Sequence, residues 1–391
     1  MADRRGIVQA HPGELKPVHV GVIGGGQLAR MLAEAGGPLG LSFSFLDPAD
    51  DACARDLGVL HVGPWDDEKG LAALARCQRV TADFENVPAQ VLHDLAEQVT
   101  VRPPARAFAA AQDRWTEKQL LRDLGIAIAP VAEVSSRPDL LAAVDRIGLP
   151  AVLKTRRLGY DGKGQTVLRT REDLEPAWQA LEGHALILEG WVDFDFECAQ
   201  TAVRSASGEV RCYPLSRTVH KDGILRLATS SPGVPDALAE SARRAVIDLM
   251  ESLDYVGSLT LELFATGSEL IANEFAPRPH NSAHWTIEGS VTSQFENHLR
   301  AVCDLPLGDT ASRGLAVMFN WLGEMPARDR LLEVPGLAWH DYHKQPRVGR
   351  KVGHATLVAQ DRSSLSEALS ALQALLDSET AGLLESIRID G

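Results

Sequence analysis

The chain has 391 residues, 45% of them hydrophobic and 24% charged, with 39 Lys and Arg against 53 Asp and Glu for a formal net charge of −14. That length predicts about two to four globular domains with ample core, and the acidic balance excludes the broad basic surface that a nucleic-acid backbone attracts. No apolar run approaches the ~18 residues of a membrane helix or forms a signal-peptide core, and five scattered cysteines without CxxC point away from a disulfide framework and toward a reducing, cytosolic setting.

Residues 18–47 read strand, turn, helix, strand in VHVGVI, GGG, QLARMLAEAG and LSFSFLD. A second helix and strand follow in LAALARC and RVTADF, which predicts a parallel βα layer. Gly24, Gly26 and Ala29 fit G-x-G-x-x-A, and Asp47 lies 21 residues past Gly26. This is the spacing of a dinucleotide fingerprint, and it opens the reading of a nicotinamide-dependent oxidoreductase. The same glycines also suit a tight turn packed closely on its helix. Pro103 and Pro104 mark a boundary, and a helix around RWTEKQLLRDLG closes at Gly125.

From 150 to 230 the chain reads as short strands and glycine turns. Lys154 ends the strand AVLK, and Gly159-Tyr160-Asp161-Gly162-Lys163-Gly164-Gln165 leads into the strand TVLR. A strand rather than a helix follows, so this is no Walker loop. It is either a solvated hairpin turn or a flap whose amides and lysines fold over phosphates and exclude water.

A helix is predicted over 236–254, then two strands joined at Thr266–Ser268. With a loop of Gly267-Ser268-Glu269, Glu262 faces Glu274 across the hairpin. Opposed carboxylates repel, so they are either a solvent-facing pair or ligands of a cation such as Mg2+ shared with a nucleotide. Asn273 would point to the other face unless the strand bends.

The run Ala276-Pro277-Arg278-Pro279-His280-Asn281-Ser282-Ala283-His284-Trp285 carries a guanidinium, two imidazoles and an amide. Arg278 suits a planar oxyanion. His280 and His284 have zinc-ligand spacing but no evident third partner, and His284 and Trp285 could equally be packing residues. A helix over roughly 292–303 follows, then short strands and a helix near SLSEALSALQALLD. Lys344, Arg347, Arg350, Lys351 and His354 form a basic cluster that is either a phosphate site or a solvated face.

Together, GVIGGGQLARMLAEAGGPLG, DFENVP, DRWTEKQLLRDLGI, LKTRRLGYDGKGQ, YVGSLTLELF, NEFAPRPHNSAHWTIEGSVTSQFENHLRAVCDLPLG and HKQPRVGRKVGHATL resemble one family, the N5-carboxyaminoimidazole ribonucleotide synthetases. The resemblance implies an α/β (mixed α+β) ATP-grasp fold. Its parts would be a Rossmann-like N-terminal domain at 1–105, an ATP-grasp domain at 106–305 with a glycine-rich lid around 150–190, and a small β-rich C-terminal domain at 306–391. It implies an ATP-dependent carbon–nitrogen ligase of purine biosynthesis that uses Mg2+, a cytoplasmic homodimer. Bicarbonate would be phosphorylated to carboxyphosphate and its carboxyl group passed to 5-aminoimidazole ribonucleotide. An ATP-grasp relative with another acceptor, such as a formate-using transformylase or a biotin-dependent carboxylase component, remains the neighbouring alternative.

By the same resemblance, ATP contacts fall on Arg114, Lys154, residues 159–165, Glu189, Gly190, Trp191, Val192, Glu197, His220, Asn273 and Glu274. Glu189 and the backbone of 190–192 would read the adenine edge, and Glu197 the ribose. Mg2+ ligands fall on Glu262 and Glu274, and bicarbonate chemistry on Arg278, His280 and Asn281. The ribonucleotide phosphate would meet Lys344, Arg350 and Lys351, with Gln27, Leu28, Glu85 and Tyr160 beside the imidazole. The first glycine loop would then face substrate, and Asp47 would have no ribose to hold. The chain departs from the family pattern in TADFENVP for TYEFENVP, in Ser216–Val219 before His220 where ENxH is usual, and in Ala283 for glycine.

Overall fold

A computed structural model describes residues 18–159, 164–230 and 233–385. Tyr160, Asp161, Gly162 and Lys163 therefore lie outside the described residues. The N-terminal layer is parallel, as its apolar strands and glycine turn predict. His19–Ile23 lies between Ser42–Asp47 and Arg79–Ala82, and Val59–Val62 forms the edge. Helix Gln27–Gly36 buries Leu28, Met31 and Leu32, positions 1, 4 and 5 of one helical face, against Val20, Val22 and Phe45.

A small antiparallel sheet follows, in the order Val131–Val134, Leu186–Gly190, Ala151–Thr155, Gln165–Leu168. Helix Leu174–Leu181 interrupts the region read as strands and packs Ala177 and Leu181 into this unit's core.

The third sheet is long and antiparallel. It runs Glu269–Ala276, Gly257–Thr266, Phe196–Arg204, Ser216–Lys221, Ile224–Thr229, Leu315–Gly323, Arg347–Ala359, Leu337–Asp341. The last three of these strands add to the central sheet through Leu227 opposite Phe319, so Ile224–Thr229 is not left as an open edge. Helix Asp236–Ser252 covers one face with Ala242, Val246 and Leu249.

His298, on helix Gln294–Val302, docks the N-terminal layer on this sheet. Its Nε2 bonds Thr81 Oγ1 at 2.8 Å and its Nδ1 accepts from Ser258 N at 3.1 Å. Burial pushes its pKa down to about 3, so the contact is a neutral one. Among the described residues no helix is long and apolar enough to cross a membrane.

Candidate active site

In the first glycine loop, carboxylates take three of the amides that a pyrophosphate would use. Asp83 Oδ2 accepts from Gly26 N at 2.8 Å and from Ala29 N at 3.2 Å, and Asp47 Oδ2 accepts from Gly25 N at 2.7 Å. A carboxylate thus sits at the helix N-terminus where a dinucleotide phosphate would bind. Gly24 has φ +104°, and a Cβ there would lie 1.7 Å from Asp83 Oδ1. The glycines serve close approach, and the dinucleotide reading fails.

Burial raises Asp83 to about 7, although the two amides oppose the shift. A carboxyl raised in the folded state contributes stability fully below about pH 4, and that contribution is lost as pH rises through about 7. Asp83→Asn should flatten this part of the curve. Thermal melts of wild type and variant should meet near pH 4 and diverge by pH 8, with the variant the more stable; parallel curves would reject the shift.

Above this loop lies a cleft of about 810 Å3, a size that suits a small-molecule site. The N-terminal layer supplies Gln27, Leu28 and Glu85; the central region supplies Gly159, His220, Glu262, Glu274, Arg278, His280 and Asn281. The strand Arg347–Ala359 supplies Arg350 and Lys351, joined by Arg347, and the connection before it supplies Lys344. Lys344 Nζ donates to Gln27 Oε1 at 2.5 Å, closing the wall between chain positions 317 residues apart. His354 leaves the basic cluster: it is fully buried and stacks on His340 at 4.2 Å.

The carboxylate hairpin differs from the expected register. Its turn is Gly267-Ser268 alone, and Thr266 pairs with Glu269. Leu263 pairs with Ala272 but Leu261 with Phe275, so a bulge sets Asn273 and Glu274 together opposite Glu262. The extra residue restores the Glu262–Glu274 juxtaposition that the shorter turn would have removed. It also supplies the bend needed to bring Asn273 to the same place. Burial, with Glu274 nearby, raises Glu262 to about 7.

Arg278 is clamped by Glu85, Nε to Oε2 at 2.5 Å. His280 bonds Ser282 Oγ at 2.9 Å through Nδ1 and lies 3.3 Å from Glu262 Oε1 through Nε2. Burial and then Arg278 hold His280 well below its ordinary pKa, so it is a neutral hydrogen-bonding group. Asn281 forms a reciprocal amide pair with Asn320, at 3.0 and 2.6 Å. His284 is fully enclosed, with Nδ1 3.1 Å from Gln294 Nε2, and Trp285 donates to Ser216 Oγ at 2.8 Å, so both are packing residues rather than ligands.

On the other side of the Glu262–Glu274 pair, Lys154 Nζ donates to Glu189 Oε2 at 2.9 Å, with Lys118 Nζ at 3.6 Å from the same oxygen. Burial would raise Glu189, but the two lysines outweigh it and pull it to about 2. Arg114 lies 3.7 Å from Glu274 and donates to Gly159 O at 3.3 Å.

Gly190 N and Trp191 N already donate to Pro130 O and Pro150 O. Val192 is therefore the one amide of this stretch without a protein partner among the described residues. His220 Nδ1 bonds Glu197 Oε2 at 2.9 Å; burial alone would lower this histidine, and the bond to Glu197 raises it. Gly164 O accepts from Thr155 N at 2.8 Å and Gln165 pairs with Lys154, closing the base of the 159–165 loop.

These residues fit ATP with Mg2+. Among the described residues Glu189 Oε1 is a buried anionic oxygen without a partner, the acceptor an exocyclic amine requires. Among the described residues no set of three or more metal-binding side chains occurs. Two carboxylates suffice for Mg2+ when phosphates and water complete its octahedron. Asp83, Glu117, Lys118 and Asn320 were not singled out by the sequence. Glu117 and Lys118 could have been, since they fall three and four residues after Arg114, on one helix face. Nothing near Asn320 in the sequence marks it.

Three family models cover the chain: a ribonucleotide synthetase preATP-grasp domain at 18–112, an ATP-grasp domain at 119–295, and a phosphoribosylaminoimidazole carboxylase C-terminal domain at 316–368. An N5-carboxyaminoimidazole ribonucleotide synthase of Pseudomonas aeruginosa is 49% identical over 360 residues, covering 92% of this chain and 99% of the relative. The crystal structure of the Thermus thermophilus synthetase is 49% identical, with TM-score 0.88 over 92% of this chain and 99% of that one. An Aspergillus clavatus synthase solved with ADP and 5-aminoimidazole ribonucleotide is 31% identical, with TM-score 0.84 over 94% and 99%. Sequence, fold and cleft agree, and the chain belongs to the N5-carboxyaminoimidazole ribonucleotide synthetase family of ATP-grasp ligases.

Proposed function

We propose that the cleft lays ATP, bicarbonate and 5-aminoimidazole ribonucleotide end to end for the reaction of this family. The chain is an ATP-dependent carbon–nitrogen ligase of purine biosynthesis. A bicarbonate oxygen bonds to the γ-phosphorus as the bond from that phosphorus to the bridging oxygen breaks, giving carboxyphosphate and ADP. Carboxyphosphate then separates into CO2 and phosphate inside the closed cleft. The exocyclic amine of the ribonucleotide forms the new N–C bond and loses its proton to phosphate, giving N5-carboxyaminoimidazole ribonucleotide.

The observation that carries this reading is one cleft lined by a carboxylate pair, a clamped arginine and a basic wall. Lys154 and Arg114, at the base of the glycine loop, neutralise the ATP phosphates. Glu189 Oε1 and Val192 N meet the adenine edge, and Glu197, oriented by His220, meets the ribose. Glu262 and Glu274 would hold Mg2+, which would supply charge neutralisation at the nucleotide phosphates. The free edge of Arg278 binds bicarbonate, with neutral His280 and Asn281 as hydrogen-bonding partners. Lys344, Arg350 and Lys351 bind the ribonucleotide phosphate, while Gln27, Leu28, Glu85 and Tyr160 surround its imidazole.

The domains are proposed at 1–105, 106–305 and 306–391; the matched segments at 18–112, 119–295 and 316–368 follow the same order, the first running past 105. A homodimer rests on the resemblance and on the edge strand Val59–Val62, whose Val59 and Val62 are 55% and 56% exposed. Five free cysteines suit a reducing cytoplasm. The test is ADP release by the purified protein with MgATP and bicarbonate, with and without 5-aminoimidazole ribonucleotide. Stimulation by the ribonucleotide that also requires bicarbonate is expected. Stimulation by formate instead would move the chain to another acceptor class.

A further inference from the structure

The bulge that presents Glu274 leaves two backbone groups outside the strand ladder, and both are taken by helix Arg114–Asp123. Lys118 Nζ donates to Asn273 O, and Phe275 N donates to Glu117 Oε1 at 2.7 Å. The peptide units on either side of Glu274 are thereby pinned from one helical turn. Leu121, one further turn along the same face, anchors that helix in the core that includes Ala272 and Phe275.

Lys118 also forms an ion pair with Glu189 Oε2, at 3.6 Å, and its side chain is only 2% exposed. Glu189 belongs to the small sheet and Asn273 to the edge of the central one. One buried ammonium therefore joins the carboxylate facing the base to the backbone presenting the metal ligand. Its hydrogen bond goes to the Asn273 carbonyl and its charge faces the Glu189 carboxylate.

We infer that Lys118 is a positioning residue that couples the base end of the nucleotide site to its metal end. The inference rests on the nucleotide reading above. When an amino group donates to Glu189 Oε1, the carboxylate is fixed, Lys118 is fixed against it, and the bulge holds Glu274 in place. Base recognition and metal binding then strengthen each other, and the coupling is reciprocal.

The test is calorimetric and needs no turnover: binding of ADP and of inosine diphosphate, each with and without Mg2+. Inosine diphosphate carries a carbonyl where adenine has its amine. In wild type Mg2+ should tighten ADP more than it tightens inosine diphosphate. In Lys118→Met the Mg2+ enhancement for ADP should fall by about 10- to 100-fold and become equal for the two nucleotides. An enhancement unchanged in Lys118→Met, even with weaker ADP binding overall, would overturn the coupling and leave Lys118 a plain structural residue. If the thermal melt shows that Lys118→Met does not fold, Lys118→Gln, which keeps a donor without charge, is read by the same ratio. A wild-type protein that binds no ADP would instead reject the nucleotide reading itself, and this inference with it.

Discussion

Glu274→Gln lowers kcat by about 100-fold or more at saturating ATP and leaves the melting temperature nearly unchanged. The stability half follows from exposure. The Glu274 side chain is 48% exposed, and its ion pair with Arg114 is long, at 3.7 Å, so the pair adds little. The catalytic half follows from the bulge, which sets Glu274 opposite Glu262. Two carboxylates held together cost energy in the empty cleft and gain it when a cation lies between them. The amide keeps the shape and removes one charge. The loss should therefore be partly recovered by raising Mg2+, which a folding defect would not allow. Near-normal turnover at limiting Mg2+ would remove Glu274 from the metal site.

Arg278→Ala should destabilise the protein by about 3 kcal/mol at neutral pH and lower turnover by at least about 100-fold. Burial raises Glu85, but the charge and hydrogen bond of Arg278 outweigh it and hold the carboxyl below its ordinary range. Without the guanidinium only burial remains, and Glu85 becomes a carboxylate with no counter-charge. The pair keeps 15% and 24% of its side-chain surface open to the cleft, which sets the loss at the low end for buried pairs.

The sign of the pH dependence is fixed by the same change. In wild type, depressed Glu85 contributes stability above its unfolded pKa of 4.5, lost as pH falls through the lower folded value. In the variant Glu85 is raised, so stability is lost as pH rises. The gap between the two proteins should widen from about pH 4 to pH 8 in thermal melts. Adding Glu85→Gln should recover most of the stability and none of the activity. A double variant as unstable as the single one would mean that Arg278 acts through packing.

Several parts of the site were legible because their determinants are local. The strand-turn-helix at 18–36, the glycine loop between the strands Ala151–Thr155 and Gln165–Leu168, and the run Arg278–Asn281 each declare themselves within a dozen residues. The resemblance to the ATP-grasp ligases rests on such stretches, and the matched family models agree with it. Residue chemistry was legible too: an arginine suited to an oxyanion, paired carboxylates and a basic cluster keep their character wherever the chain places them.

What pairs with what was decided elsewhere. The sequence spaced Asp47 and the glycines for a dinucleotide, yet a buried Asp83 from the next strand but one consumes the amides. Counting turn residues predicted a three-residue loop, and the hairpin has two and then a bulge. That bulge stands because Glu117 and Lys118 satisfy the backbone it frees, from positions 158 and 155 residues away. The sequence alone determined which local elements form and which chemical groups they carry, since strand period, turn residues and side-chain type are properties of neighbours. Only the tertiary structure decided register, protonation and partnership, since these depend on which distant group reaches a buried polar atom first.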